Sequence, residues 1–225
     1  MNPLTKTQDF NPLIFTFTIL LIICHLDSAG QFNEDFSDND LLTNPQWIGN
    51  LDKFIIEEGK LRSNSTTTSD EFYISTPSQS VLETEWQISL DLDFKTSSAN
   101  YIDIFLASDS ANPSKAKQAY FIRIGDTKDE ISMYQIINGI TTQLTDGTND
   151  KTEKKKMDIN VVHQPNGQWQ VKVDYNDGDL PVLEGTVNNI ELSKTDFFAI
   201  RIKQSSSSFF KKDWTASNTL KCSYW

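Results

Sequence analysis

The chain has 225 residues, enough for one or two domains, and its 37% hydrophobic and 11% aromatic content excludes a chain that is disordered as a whole. The formal net charge of −11 would repel a phosphate backbone, which argues against nucleic-acid binding. The one dense basic run, Lys154 to Lys156, lies beside Glu153 and Asp158 and is interpreted as a solvated turn.

The N-terminal region carries an uncharged run from Leu13 to Cys24. A membrane-spanning helix needs about 20 apolar residues, so this run is short for an anchor and suits the hydrophobic region of a secretory signal. Ser28 and Gly30 are small residues at the −3 and −1 positions of a cleavage site that would leave Gln31 first. We therefore expect a signal peptide over residues 1–30 and an exported protein, whether periplasmic, on the outer cell surface or secreted, that meets the membrane only during export. A retained membrane anchor is the alternative.

The cysteine pattern agrees with export from a bacterium. Cleavage would remove Cys24, one of two cysteines, and leave Cys222. A single cysteine cannot form an intramolecular disulfide or a thiolate zinc site. Such a composition is more typical of a bacterial exported protein than of a disulfide-rich animal ectodomain.

From Gln31 onward the dominant hydrophobic period is two, which predicts β-strands. In "EWQISLDLDF" the residues Trp86 to Phe94 alternate between an apolar and a polar face, as half-buried antiparallel strands do. Other predicted strands are "KFIIEEGKLRS" (as a hairpin), "EFYIS", "NYIDIFLA", "AYFIRIG", "EISMYQII", "GITTQL", "KMDINVVH", "QWQVKVDY", "PVLEGTV" and "FFAIRIK". No long segment of helical period follows the signal.

Turn residues separate these strands. Asn138-Gly139 predicts a tight hairpin, and "HQPNGQW" and "NDGD" predict two more. The sequence therefore predicts an all-β fold: a two-layer antiparallel β-sandwich of jelly-roll, concanavalin A-like type over residues 31–203. Residues 204–225 lack alternation, and we expect an irregular tail there, of the kind that a truncated gene would leave.

Four motifs in order, "FNEDFSDNDLLTNPQWIGNLDKFIIEEGKLR", "YISTPS", "YFIRIGDTKDEISMY" and "FFAIRIK", resemble the N-terminal module of exported Bacteroidetes surface proteins. The resemblance covers about Gln31 to Lys203. It implies a concanavalin A-like, laminin-G-like sandwich that in similar proteins precedes further domains, often lamin-tail-like, and a sorting signal. Relatives tend to end the module with an aromatic strand that carries paired Asp, and this sequence departs from that pattern after Lys203.

The sequence argues against an enzyme. Laminarinase-type glycosidases of this fold class carry a Glu-x-Asp-x-Glu ladder, and the nearest approaches here are Glu83-Thr-Glu85 and Asp91-Leu-Asp93, which are interpreted as an exposed acidic face. His163 is the one histidine after the signal and is expected to be a structural turn residue. The sequence contains no Gly-x-Ser-x-Gly nucleophile motif.

Calcium is the one cofactor that the composition allows, because hard cations need only clustered oxygen ligands. Two acidic clusters qualify, "EDFSDND" with Glu34, Asp35, Asp38 and Asp40, and "DYNDGD" with Asp174, Asp177 and Asp179. Turns require the same residue types, which leaves a turn as the alternative at each cluster. The resemblance implies structural calcium near the N-terminal strand, which makes Asp35 and Asp38 the candidate ligands.

Two functions remain open. The first is a non-catalytic glycan-binding or adhesive surface module. Ile122 and Ile124 take the apolar face of their strand, so Phe121 and Arg123 face the other way, with Tyr134 beside them. We expect this face to be exposed and to contact a glycan, with Tyr101 and Asp103 also able to join. The second is a structural spacer or a truncated remnant without a ligand, in which case the aromatics are core and Asp103 or a turn acid neutralises Arg123.

Overall fold

The computed structural model describes residues 32–79, 81–92, 94–153, 156–176, 179–192 and 195–205, together with the backbone of residues 214–224. The predicted signal peptide and its cleavage site lie outside the described residues. Two 3-10 helices, Leu51–Lys53 and Pro113–Lys115, are the helical elements of the described part, and none there is long and apolar enough to cross a membrane. The strands are β1 (Phe32–Glu34), β2 (Ile48–Gly49), β3 (Phe54–Glu57), β4 (Lys60–Ser63), β5 (Asp70–Pro77), β6 (Thr84–Leu92), β7 (Tyr101–Ser108), β8 (Gln118–Gly125), β9 (Glu130–Ile137), β10 (Ile140–Gln143), β11 (Lys156–His163), β12 (Gln168–Asp174), β13 (Val182–Asn188), β14 (Phe197–Gln204) and β15 (Trp214–Tyr224).

The strands form two antiparallel sheets. One has eight strands in the order β13-β12-β11-β6-β15-β4-β3, with β1 also paired to β15, and the other has seven in the order β10-β9-β8-β7-β14-β5-β2. The predicted all-β sandwich is confirmed. Several neighbours in a sheet, such as β14 and β5, are far apart in the chain, because the strands are connected across the two sheets.

The core lies between the sheets and follows the predicted alternation. On β6, Trp86, Ile88, Leu90 and Leu92 are at most 2% exposed and face the interior. The seven-stranded sheet contributes inward residues from each central strand, among them Phe72, Ile104, Ile122, Met133 and Ile200. Each such side chain stabilises the fold by about 1.5–3 kcal/mol relative to an exposed position.

Two of the predicted hairpins, β9–β10 and β11–β12, have turns with residues at positive φ. Asn138 and Gly139 have φ values of 52° and 78° and join β9 to β10, because both central residues of this turn need positive φ. Gly167 has a φ of 81° in the turn between β11 and β12. Asp177 and Gly178 of "NDGD" lie outside the described residues.

The irregular tail expected over residues 204–225 is wrong for its last part. The backbone of β15 pairs with β6 on one side and with β4 and β1 on the other, in the middle of the eight-stranded sheet. A register shift between Ala216 and Leu220 interrupts the strand. Such an irregularity breaks the period of two, so the sequence did not indicate a strand that is held by hydrogen bonds on both sides.

Candidate functional site

The outer face of the seven-stranded sheet carries the candidate site. Because β5, β14, β7, β8 and β9 send their aliphatic side chains into the core, the alternate residues face away from it. The outward residues are Glu71 and Tyr73 on β5, Arg201 and Lys203 on β14, Tyr101, Asp103 and Phe105 on β7, Phe121 and Arg123 on β8, and Glu130, Ser132 and Tyr134 on β9. All five predicted ligand-contacting residues lie on this face, where Arg123 contacts the other four.

Asp103 lies at the centre of an ion cluster on this face. Its carboxylate is fully buried and accepts hydrogen bonds from Nε of Arg123 at 2.7 Å and from Nη2 of Arg123 at 3.1 Å. Arg201 donates to the same carboxylate through Nε and Nη2. Asp126, in the turn after β8, accepts from Nη1 of Arg123 at 2.8 Å. These ion pairs link strand β7, which carries Asp103, to its neighbours β8 and β14.

These contacts decide the protonation of Arg123. Burial acts to lower its pKa, and the hydrogen bonds and charges of Asp103 and Asp126 more than offset that effect. The pKa of Arg123 therefore lies above its ordinary value, and the guanidinium stays charged.

The aromatic residues form a stack across three strands. The rings of Phe105 and Phe121 are 4.8 Å apart with an interplanar angle of 20°, and those of Phe121 and Tyr134 are 5.0 Å apart at 10°. Both ring faces of Phe121 are therefore covered, and the residue is 1% exposed. The expectation that Phe121 is an exposed surface for a sugar ring is wrong, because neighbouring strands place their rings face to face.

A loop covers this stack. Ala116, which follows the short 3-10 helix between β7 and β8, packs against the cluster that contains Phe105, Phe121, Ile136 and Ala199. The loop is held at its base, where the Lys117 amide donates to Asp109 at 3.0 Å. We call the region of Phe105, Phe121 and Tyr134 under this loop the sealed aromatic region.

Tyr101 is also enclosed. The guanidinium carbon of Arg123 lies 3.9 Å from the centre of its ring, and the ammonium nitrogen of Lys203 lies 5.3 Å from it. The residue is 8% exposed, and burial raises the pKa of its hydroxyl. Tyr134 and Arg123 each keep part of their surface exposed.

The same face is open on the side of β5 and β14. A cleft of about 230 Å³, here called the near cleft, lies above these two strands. It is lined by Asn50, Glu71, Tyr73, Asn112, Ser114 and Arg201. Its charged and hydroxyl groups are already oriented, since Glu71 accepts a hydrogen bond from the Ser114 hydroxyl at 2.9 Å and Nη1 of Arg201 donates to that hydroxyl at 3.3 Å.

Asn50 and Tyr73 complete the near cleft. The carbonyl of the Asn50 side chain accepts from the Tyr73 amide at 3.1 Å, and that of Asn112 accepts from the Ser114 amide at 3.0 Å. Gly49, with a φ of 122°, lies under the Tyr73 ring. A Cβ at Gly49 would lie 3.0 Å from that ring and 2.5 Å from the Tyr73 carbonyl oxygen, so a larger residue would displace the ring.

A second cleft adjoins the first. It has about 460 Å³ and is lined by Ser69, Asp70, Glu71, Ala99, Lys203, Gln204 and Ser205. We call it the far cleft. Its Asp70 is paired to Lys53 at 2.7 Å and to the Ser65 hydroxyl, and although burial acts to raise the pKa of this carboxyl, these contacts lower it.

The predicted calcium ligands Asp35 and Asp38 lie in turns of the described chain. Asp35 accepts a hydrogen bond from the Ser37 amide and Asp38 from the Asp40 amide, each at 3.0 Å, as in ordinary turns. Within the described ranges no group of three or more His, Cys, Asp or Glu side chains is arranged to hold a metal ion. Asp177 of the other predicted cluster lies outside those ranges.

Glu85, Asp91 and His163, from the motifs closest to a catalytic pattern, have structural partners. His163 is fully buried, its ring nitrogens lie 2.8 Å from the Val81 carbonyl and 3.2 Å from the Asn189 carbonyl, and burial lowers its pKa. Glu85 accepts hydrogen bonds from Gln87 and Asn160, on the eight-stranded sheet. Asp91 lies 3.6 Å from Lys156, and Asp93 is outside the described residues.

Sequence reasoning missed the lining of the near cleft. Alternation in "EFYIS" and "FFAIRIK" places Glu71 with Tyr73, and Arg201 with Lys203, on one face of each strand. That signal was present in the sequence. It did not indicate that β5 and β14 are neighbours, nor that the loop carrying Asn112 and Ser114 reaches them.

No protein-family model matches the chain, and no curated protein matches it. Solved structures do. The exoplasmic/lumenal domain of VIP36 in its Ca²⁺/Man-bound form has a TM-score of 0.65 and 13% identity, covering 89% of this chain and 92% of that one. The legume lectin-like domain from Entamoeba histolytica has a TM-score of 0.60 and 12% identity, covering 87% and 95%. The carbohydrate binding module CBM66 from Bacillus subtilis has a TM-score of 0.57 and 11% identity, covering 79% and 95%.

At these identities the likeness shows the fold alone. The two-sheet topology and these neighbours agree, and the chain has the lectin-like, concanavalin A-like β-sandwich fold.

Proposed function

We propose that this protein is an exported, non-catalytic carbohydrate-binding module of a cell surface, and that its glycan lies on the outer face of the seven-stranded sheet. The observation that carries the proposal is the near cleft, where an aromatic ring, a carboxylate, amides and a guanidinium converge on a lectin-like fold. Mostly preformed concave sites with a few oriented polar groups are typical of small-molecule recognition.

Sugar hydroxyls both donate and accept hydrogen bonds, so a sugar site needs both kinds of partner. Glu71 offers carboxylate oxygens, and the amides of Asn50 and Asn112 offer donors. Tyr73 offers an aromatic surface against which the C–H face of a sugar ring packs, because aromatic faces carry negative charge. The near cleft therefore has the chemistry that a sugar ring requires.

The five residues predicted from the sequence have supporting and peripheral roles in this proposal. Asp103 is a positioning residue, because it holds the Arg201 guanidinium at the near cleft. Phe121 and Tyr101 hold Arg123 in place from below. Arg123 and Tyr134 keep exposed surface and extend the contact area beyond the cleft.

Three observations support binding without catalysis. Glu85 and Asp91, one carboxylate from each of the two nearest motifs, are engaged with neighbouring side chains on the other sheet. His163 is buried among carbonyls and indoles. The neighbouring structures include lectin-like and carbohydrate-binding domains, one of them in a form with bound mannose and calcium.

The alternative is a spacer or a truncated remnant without a ligand. The burial of Phe121 and the internal pairing of Arg123 favour it, since both were candidate contacts. The near cleft favours binding. A binding module should lose its glycan affinity when Tyr73 is replaced by Ala, whereas a spacer has no glycan affinity to lose.

A glycan array tests the proposal. The purified protein should bind a restricted set of glycans, with α-mannosides as the first probes, and Tyr73→Ala should lose that binding. Thr142→Ala, on the exposed strand β10 of the same sheet, is the matched control and should bind as the wild type does. Absence of binding to every glycan, with and without calcium, would support the spacer.

Export has its own test. Intact-mass analysis of protein from the periplasmic, surface or secreted fraction should give a chain that begins at or near Gln31. Recovery of only full-length protein from the inner membrane would contradict a cleaved signal.

A further inference from the structure

The near and far clefts share one wall. Glu71 lines both, on β5, while Arg201 lines the near cleft and Lys203 the far one, both on β14. In the sheet register Arg201 lies opposite Tyr73 and Lys203 opposite Glu71. The two clefts therefore follow one another along the same pair of strands, separated by two residues, or about 7 Å.

The sizes of the clefts differ. The near cleft, at about 230 Å³, is smaller than the roughly 300–1,000 Å³ of pockets that enclose a whole drug-sized ligand. The far cleft, at about 460 Å³, is about twice as large. A single sugar ring suits the near cleft, and the far cleft then has room for the residues linked to that ring.

The charges of both clefts argue against an acidic ligand. In the near cleft Arg201 is already paired with buried Asp103 and lies 3.6 Å from Glu71. In the far cleft Asp70 is paired with Lys53, and the other charged lining groups are the carboxylate of Glu71 and the ammonium of Lys203. The chain as a whole carries a charge of −11. Because Arg201 is already paired with Asp103, its charge is not free to bind a uronate or a sulfate, and either anion would meet Glu71 in both clefts and approach against this field.

We infer that the ligand is a neutral, linear oligosaccharide of at least two residues, with one ring in the near cleft and the following residues in the far cleft beside Glu71. The inference rests on the proposed carbohydrate-binding function and adds the length and charge of the ligand. Glu71 contacts both parts of the chain, so it is the specificity residue for a linked sugar.

Calorimetric titration with saccharides of increasing length tests this inference. The probes are mannose and glucose, their neutral oligomers of two to four residues, and oligogalacturonides of the same lengths. Affinity should rise at least about tenfold, or ~1.4 kcal/mol, between one and three neutral residues. The oligogalacturonides should bind more weakly than neutral chains of equal length.

Filling the far cleft separates the two parts of the site. Ala99 is exposed in the turn before β7 and lines only the far cleft. Ala99→Trp should remove the gain with length while monosaccharide affinity stays unchanged, and Ala99→Ser should behave as the wild type. Equal affinity for all lengths, no effect of Ala99→Trp, or preference for oligogalacturonides would overturn the inference and leave carbohydrate binding intact. Failure of every probe to bind would instead overturn the proposed function, and the inference with it.

Discussion

The sealed aromatic region and the near cleft lie on the same face of the same sheet, and they differ in what covers them. Phe121 and Tyr73 both point away from the sandwich core, one on β8 and one on β5. The loop after β7 and the neighbouring rings cover Phe121, which is 1% exposed, whereas Tyr73 lines an open cleft. An outward aromatic residue thus becomes a second core or a binding surface according to the loop above it.

The ion cluster joins the two regions. Arg123 lies over the sealed aromatic region and Arg201 borders the near cleft, and both donate to the buried carboxylate of Asp103. A change at Asp103 should therefore reach both regions, while changes at Phe121 and Tyr73 should separate stability from binding.

The largest expected effect on stability is that of Phe121→Ala. Truncation of a fully buried aromatic side chain leaves a cavity and costs about 3–5 kcal/mol of unfolding free energy. Denaturant unfolding monitored by circular dichroism measures it. Ile140→Ala, at a side chain that is 69% exposed, is the control and should change stability by less than about 0.5 kcal/mol. A similar small change for Phe121→Ala would mean that the aromatic stack is not a core.

Asp103→Asn should cost about 3 kcal/mol, because two guanidinium groups that are mostly buried lose their shared charge partner. It should also weaken glycan binding, since Arg201 loses its position. The melting temperature and the calorimetric affinity measure the two effects. Asp52→Asn, on an exposed carboxylate, is the control. Loss of stability without loss of affinity would separate Asp103 from the near cleft.

Tyr73→Ala, unlike Phe121→Ala, should reduce glycan affinity strongly and stability only a little. The residue is only partly buried, so we expect a stability loss of about 1 kcal/mol. Binding should fall at least about tenfold, since the aromatic surface of the cleft is removed. Tyr73→Phe keeps the ring and should retain most of the affinity. Unfolding by Tyr73→Ala would place this ring in the core instead.

The smallest effect is expected at Glu130, on the sealed side of the face. Burial raises the pKa of this carboxyl, whose Oε2 makes no hydrogen bond within the described residues. A carboxyl with a raised pKa in the folded state stabilises the fold below its unfolded pKa of about 4.5, and that contribution is lost as the pH rises through the folded value. Glu130→Gln cannot titrate, so the wild type should lose stability relative to the variant between pH 4 and pH 7. Unfolding free energies across this range measure the difference, and a constant offset would contradict it.

The sequence predicted which side chains of a strand face the core, but it did not predict which strands and loops contact one another. Alternation on β8 correctly separated Ile122 and Ile124, which face the core, from Phe121 and Arg123, which do not. It could not indicate that Ala116 covers Phe121, because loop positions leave no periodic signal. It also could not bring Tyr73 beside Arg201, since strand order in a sandwich depends on long-range pairing. β15 was missed for a related reason, because its register shift breaks the alternation.

Chemical-shift mapping would show where on the sandwich the glycan binds. Backbone amide spectra of the protein would be recorded with increasing concentrations of the tightest-binding neutral mannose or glucose oligomer. We expect the largest shifts at Asn50, Tyr73, Asn112 and Arg201, with smaller shifts near Phe121 and none along β11 and β12 of the other sheet. Shifts confined to the eight-stranded sheet, or spread without regard to the near cleft, would contradict this expectation.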